Sequence, residues 1–182
     1  MQGLIIPAGP LNPVQSRFGL NWRERIDWSH TYPIGRGAWN NPFALSQAVD
    51  PERAVCQIMG EWGPNCNTWA NVVGKAEIRA DGQYLDFTSF GGSSDTSAPT
   101  FSGSITVLEF KAKPKRIQKV NTKGAAVTLA YSVDPLRTLL FNACFQGSFS
   151  QLSAPCHLID GNTINTDHAN ASAYCCVYVV EF

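Results

Sequence analysis

The sequence predicts an all-β fold: an antiparallel β-sandwich or jelly-roll-like domain with an extended N-terminal arm and one short helix. Three observations carry this. From residue 74 apolar and polar residues alternate with period two, turn-forming residues then punctuate the chain at short intervals, and all five tryptophans and seven of the eleven prolines fall before residue 72. That last contrast divides the chain into a Trp/Pro-rich segment, 1–72, and a β-domain, 73–182.

Pro7, Pro10, Pro13, Pro33 and Pro42 are too closely spaced for a helix, and residues 1–42 lack strand alternation, so they read as an irregular extended arm. Its apolar groups, Ile5, Ile6, Phe18, Leu20, Trp22, Trp28 and Trp39, need a surface to cover, on this chain or on a neighbouring subunit. Asp50-Pro51-Glu52-Arg53 is a helix start: Asp50 can cap free amides, Pro51 suits the first turn, and Glu52 favours the positive end. A helix over 51–59 then has Ala54, Val55, Ile58 and Met59 as its apolar stripe, and Gly60 and Gly63-Pro64 stop it.

In residues 76–87 an Asp81-Gly82 turn pairs Ile78 with Leu85 and Ala76 with Phe87, placing apolar residues on one face. Arg79 opposite Tyr84 and Glu77 opposite Asp86 occupy the other, so register and polarity agree. Residues 89–103, rich in Ser, Gly and Thr, read as a long polar loop anchored by Phe90 and Phe101. Strands are expected at 104–112, 115–121, 125–132, 137–146, 155–160 and 173–182. The last is apolar on both faces, which suits a central strand or one sealed by a neighbour. Residues 107–110 and 179–182 share a V-x-E-F ending, a hint of duplication that the upstream segments do not visibly extend.

Fourteen basic and fourteen acidic residues in 182 give no net charge, and the charged fraction is 15%, against roughly 25% in ordinary soluble domains. Surface poor in charge is prone to association, so the chain is expected to work within an assembly. Met1–Pro7 has no basic n-region or long apolar run, so signal-peptide export is not expected, and no stretch reaches the ~18 apolar residues of a membrane span. Without an export route the six cysteines are expected as buried thiols, with Cys56 and Cys66 the one pair close enough in sequence to oxidise after release from a cell.

The chemistry-bearing residues form no recognised site. Cys156-His157 and Cys175-Cys176 are adjacent pairs, not the spaced ligands a zinc site uses, so no metal and no cofactor is expected. His30, His157 and His168 accompany no nucleophile motif, and Glu61 beside Trp62 lacks an assignable second carboxylate for glycoside hydrolysis. An enzyme is therefore not expected, and a β-fold hydrolase ranks third. Exposed aromatics stacking on sugars, in a carbohydrate-binding module, are the alternative. Lys111, Lys113, Lys115, Arg116, Lys119 and Lys123 make a basic strip, while residues 138–182 contain no Lys or Arg. The neutral total favours complementarity between subunits over nucleic acid.

Lys115–Val120, Ser132–Leu140 and Val179-Val180-Glu181-Phe182 together resemble β-rich modules of tailed-bacteriophage virion structural proteins, over roughly residues 104–182. The resemblance implies a virion component assembled in the host cytoplasm: capsid decoration, fibre or tail attachment, as a symmetric homo-oligomer, with a trimer the first expectation. Its partners would be copies of itself, other virion proteins and, for a fibre, a host-surface glycan. The interface candidates are Trp22, Trp28, Trp39, Phe90 and Phe101, because large aromatics dominate interface energies.

Overall fold

The hairpin forms in the register its polarity dictates: Ala76 opposes Phe87, Glu77 opposes Asp86 and Ile78 opposes Leu85. Arg79 N–H donates to Tyr84 O (2.9 Å), and the turn closes through Gly82 N–H to Arg79 O (3.0 Å) and Gln83 N–H to Asp81 Oδ1 (2.9 Å). Gly82 has φ +66°, and a Cβ there would lie 1.9 Å from Val49 O, so only glycine fits. The computed structural model describes residues 19–32, 35–62, 71–93, 98, 100–122, 126–147, 156–166 and 175–182.

Thirteen strands are described: β1 (Leu20–Thr31), β2 (Gly35–Ala44), β3 (Ala54–Trp62), β4 (Asn71–Ile78), β5 (Tyr84–Ser93), β6 (Thr100–Phe110), β7 (Arg116–Thr122), β8 (Val127–Thr128), β9 (Thr138–Asn142), β10 (Cys144–Gly147), β11 (Cys156–Leu158), β12 (Thr163–Thr166) and β13 (Cys175–Glu181). All pairings are antiparallel, in sheets ordered β1-β6-β3, β10-β4-β5-β2, β11-β12-β8 and β7-β13-β9. The class is therefore all-β.

One arrangement occurs twice. In the first half, Val49-Asp50-Pro51-Glu52-Arg53 makes a turn in which Asp50 Oδ1 accepts Glu52 N–H (2.9 Å) and Asp50 O accepts Arg53 N–H (2.9 Å). Phe110 N–H reaches Arg53 O (2.8 Å), Asp50 N–H reaches Glu109 Oε1 (3.1 Å), and Val49 N–H reaches Gly82 O (2.9 Å). In the second half, Val133-Asp134-Pro135-Leu136-Arg137 repeats every contact. Asp134 accepts from Leu136 and Arg137 (3.0 Å each), Phe182 N–H reaches Arg137 O (3.0 Å), Asp134 N–H reaches Glu181 Oε1 (3.3 Å), and Val133 N–H reaches Gly161 O (2.7 Å). The sheets correspond as well: β1-β6-β3 matches β7-β13-β9, and β4-β5-β2 matches β11-β12-β8. The V-x-E-F endings are thus the visible tips of a repeat that spans both halves.

Each copy buries its glutamate. Glu109 is held by Arg23, whose Nε donates at 2.6 Å, and Glu181 by the Lys115 ammonium at 2.7 Å. A buried carboxylate lacking such partners would carry a heavy desolvation cost. The halves join through Phe110 and Phe182, edge to face at 5.3 Å, and through Ala143, whose N–H reaches Cys176 O (2.9 Å) while its O accepts Ala76 N–H (2.8 Å). β13 is apolar on both faces because it serves two cores. Cys176, Tyr178, Val180 and Phe182 pack with Trp28, Phe87 and Ile105, while Val177 and Val179 pack with Val120, Leu129 and Ile164. Each such apolar side chain contributes about 1.5–3 kcal/mol by burial.

Several expectations are corrected. Residues 51–59 form no helix: Asp50 caps a single turn, and Ala54–Trp62 then pairs with β6 as β3. Ala54, Val55, Cys56 and Ile58 are buried and Gln57 is exposed in a strand paired along its length with β6, so tertiary pairing overrides the helix start. The arm is not irregular over 20–31 and 35–42. Leu20–Thr31 and Gly35–Ala44 are strands; Trp28 and Tyr32 are buried, and Pro42 is tolerated because β2 is an edge strand. Residues 1–18 lie outside the described residues. The pairing does not respect the boundary at 72, since β1, β2 and β3 pair with β6 and β5. Nor is 89–103 a long loop, because β5 continues to Ser93 and β6 begins at Thr100. The strand expected at 125–132 shrinks to Val127–Thr128, that at 137–146 divides at Ala143, and β12 was not anticipated.

Candidate functional site

The five interface candidates separate into core and surface. Trp28 is 4% exposed and packs 4.8 Å from Phe87 and 6.1 Å from Trp39, ring centre to ring centre. Trp39 is half-buried and stacks on His30 at 4.3 Å, and Phe101 is buried edge-on to Tyr32 at 5.8 Å. These three build this chain's own interior, which corrects their reading as anchors for a neighbour. Trp22, on edge strand β1, is 64% exposed, and Phe90, on β5, is exposed too. Edge strands present unpaired backbone groups to which a partner can add.

Sequence reasoning missed a second group of exposed apolar side chains. Tyr131, Leu136, Leu139 and Ile159 are all exposed, Leu136 at 96%. Leu136 and Ile159 sit on adjoining turns, the Asp134 turn and the 159–162 turn: Val133 donates to Gly161, and a Cβ on Gly161 would sit 3.8 Å from Pro135 Cδ. Tyr131 is fixed from behind by Gln118, whose side chain bonds its N–H (3.0 Å) and its O (2.9 Å), and the Arg116 guanidinium lies 4.2 Å from its ring centre. The counterparts in the first half are Gln47, Glu52, Val55 and Ala80. Glu52 pairs with Lys113, and Val55 is buried. The signal was available in the sequence, but only after the two halves are superposed.

The basic strip is met inside the chain. Lys113 pairs with Glu52 and Lys115 with Glu181, Arg116 covers Tyr131, and Lys119 Nζ reaches Ile78 O (3.3 Å). β7, which carries Arg116 and Lys119 of the strip, pairs with β13 of the cation-free region, so part of the strip meets that region within one molecule. Lys123 lies outside the described residues.

Among the described residues no group of three or more His, Cys, Asp or Glu is placed to hold a metal ion. His30 titrates below the ordinary histidine range because burial disfavours its charged form. His157 is on β11; His168 and Trp69 lie outside the described residues, and Glu61 and Trp62 are placed only as backbone of β3. Cys56 and Cys176 are buried free thiols, and burial pushes the Cys56 thiol up to about 12. Its S–H lies 3.5 Å from Tyr178 Oη, which accepts Ile78 N–H at 2.9 Å. Cys56 is thus a thiol, as expected, while Cys66, the residue it could pair with after release from a cell, lies outside the described residues. Cys144, by contrast, is disulfide-bonded, against the expectation of thiols throughout.

No family model, curated protein or solved structure matches the chain.

Proposed function

We propose that this chain is a non-enzymatic structural protein that acts by assembly, as a capsid-decoration, fibre or tail-attachment component of a bacteriophage virion. In this reading its sheets are the layers of a jelly-roll-type β-sandwich, and its oligomer is symmetric. The single observation that supports it best is the apolar end of the second half. Leu136 and Ile159 are exposed on adjoining turns where the first half carries Glu52 and Ala80, and Tyr131 and Leu139 are exposed where it carries Gln47 and a buried Val55. Large apolar side chains exposed on adjoining turns favour contact with other polypeptides, and the low charge fraction of 15% points the same way. The virion setting rests on the resemblance of residues 104–182.

The deletion of 1–42 that an accessory arm would invite does not test this, because it removes β1, β2 and the buried Trp28 and Tyr32. Light scattering on the purified chain does. A defined oligomer that falls to monomer in a Leu136→Asp, Ile159→Asp variant supports the proposal; a stable wild-type monomer overturns it.

A further inference from the structure

The outer face of β4-β5-β2 is organised in rows. β5 is central, so each of its outward residues has one partner on each side: Ala44, Tyr84 and Arg79; then Pro42, Asp86 and Glu77; then Asn40, Thr88 and Lys75; then Ala38, Phe90 and Val73. Aromatic rings stand at both ends of this series, with polar groups between. Tyr84 and Phe90 are six residues apart on one strand, a span of about 20 Å at strand rise.

A groove of about 330 Å³ lies over the middle rows, lined by Asn40, Lys75, Glu77, Arg79, Asp86 and Thr88. Past Lys75 and Thr88 it meets a second hollow of about 170 Å³, floored by Gly74 and walled by Ala38, Val73 and Phe90. The combined size suits a small-molecule or chain-segment site.

The polar groups are fixed before any ligand arrives. Arg79 Nε donates to both oxygens of Asp86 (2.9 Å each), and Lys75 Nζ donates to Glu77 Oε1 (3.0 Å) and Asn121 Oδ1 (3.4 Å). Arg79 also lies over the Tyr84 ring, 5.0 Å from its centre. The two cations and two carboxylates that line the groove balance one another, with the Lys119 ammonium near enough to act on both carboxylates, so the lining offers spare lone pairs and N–H groups rather than an anionic or cationic row. Fixed donors and acceptors beside an exposed ring suit a ligand with a hydroxyl-bearing edge and an apolar C–H face.

Among the described residues the second half has no such surface. Its corresponding strands, β11 (Cys-His-Leu) and β12 (Thr-Ile-Asn-Thr), are short and carry no Lys, Arg, Asp or Glu. The duplicated unit therefore does not require the charged rows, and their presence in one copy alone marks a specialised face.

From this geometry we infer that the β4-β5-β2 face of the first half is a binding site for a neutral oligosaccharide, its rings stacking on Phe90 and Tyr84 and its hydroxyls bonding the Lys75, Glu77, Arg79, Asp86 and Thr88 rows. The site uses none of the residues of the apolar end of the second half and does not depend on the assembly reading.

The test is a titration of the full-length protein with cellohexaose, maltoheptaose and chitohexaose, followed by calorimetry and by backbone amide resonances. At least one sugar should bind and shift resonances of residues 73–90. Phe90→Ala and Lys75→Met should each weaken that binding about tenfold or more, whereas Leu136→Asp should leave it unchanged. The inference is overturned if none of the three binds, if binding survives in the Phe90→Ala, Lys75→Met double variant, or if only a sulfated heparin hexasaccharide binds. It is likewise overturned if Phe90→Ala dissociates an oligomer while sugar binding stays intact, which would make this face a protein contact.

Discussion

The two halves share a backbone plan and differ in what they expose. In both, an Asp-Pro turn is capped by its own aspartate, held by a buried glutamate from the closing strand, and pressed against a glycine of a neighbouring turn. Around that shared frame the first half has long strands, a charged outer face and a polar turn at Glu52. The second has short strands and exposes Leu136 and Ile159. The repeated residues are those whose backbone role admits few substitutes; the residues free to change have changed, and they changed in opposite directions. One copy carries a charged outer face and the other exposes Leu136 and Ile159.

If the glycines play matched roles, their substitutions should rank by geometry. Gly82→Ala forces a side chain into the left-handed region and against Val49 O, so it should cost about 3 kcal/mol. Gly161→Ala meets only the Val133 O clash, at 2.5 Å, and should cost about 2 kcal/mol. Denaturant midpoints measure both, and a neutral Gly161→Ala would break the correspondence. The aspartates sharpen it further. Asp50→Ala and Asp134→Ala each remove one cap and should each cost about 1 kcal/mol, equal within error.

A smaller effect distinguishes the second half in acid. The hydrogen bond from Lys115 holds the Glu181 carboxyl below the ordinary glutamate value of 4.5. The unfolded chain therefore takes up this proton first, so the stability due to Glu181 is complete above about pH 4.5 and is lost as pH falls below it. Glu181→Gln should flatten the fall in stability between about pH 5 and pH 3, as read from urea midpoints. An unchanged slope would show that Lys115 does not stabilise the ionised carboxylate. The smallest effect is chemical: Cys56 and Cys176, buried and with raised thiol pKa values, should resist iodoacetamide at about pH 8 in the native protein and react only on unfolding, by peptide mass mapping.

How much of this was legible in the sequence varied with the range of the interactions involved. The 76–87 hairpin was readable because its turn, register and polarity are all local. β13 was recognisable as central because both of its faces are apolar. β3 was misread because Asp50-Pro51 begins a real turn and nothing nearby reveals that β6 will claim the residues after it. β1 and β2 are hidden by tryptophans and prolines whose partners lie some forty or more positions away along the chain. The duplication was visible only at V-x-E-F because the loops between strands differ in length, so no single offset aligns the copies. The apolar end of the second half could be seen only once Leu136 was set against Glu52 and Ile159 against Ala80.

The most direct test of the central claim, that the end of the second half is covered by another polypeptide, is hydroxyl-radical footprinting of the native protein. The account predicts that Tyr131, Leu136 and Ile159 are oxidised far more slowly than their exposure in the single chain requires, and that Leu136→Asp restores fast labelling at Tyr131. Rapid oxidation of all three in the wild-type protein, at rates typical of solvent-facing side chains, would contradict it.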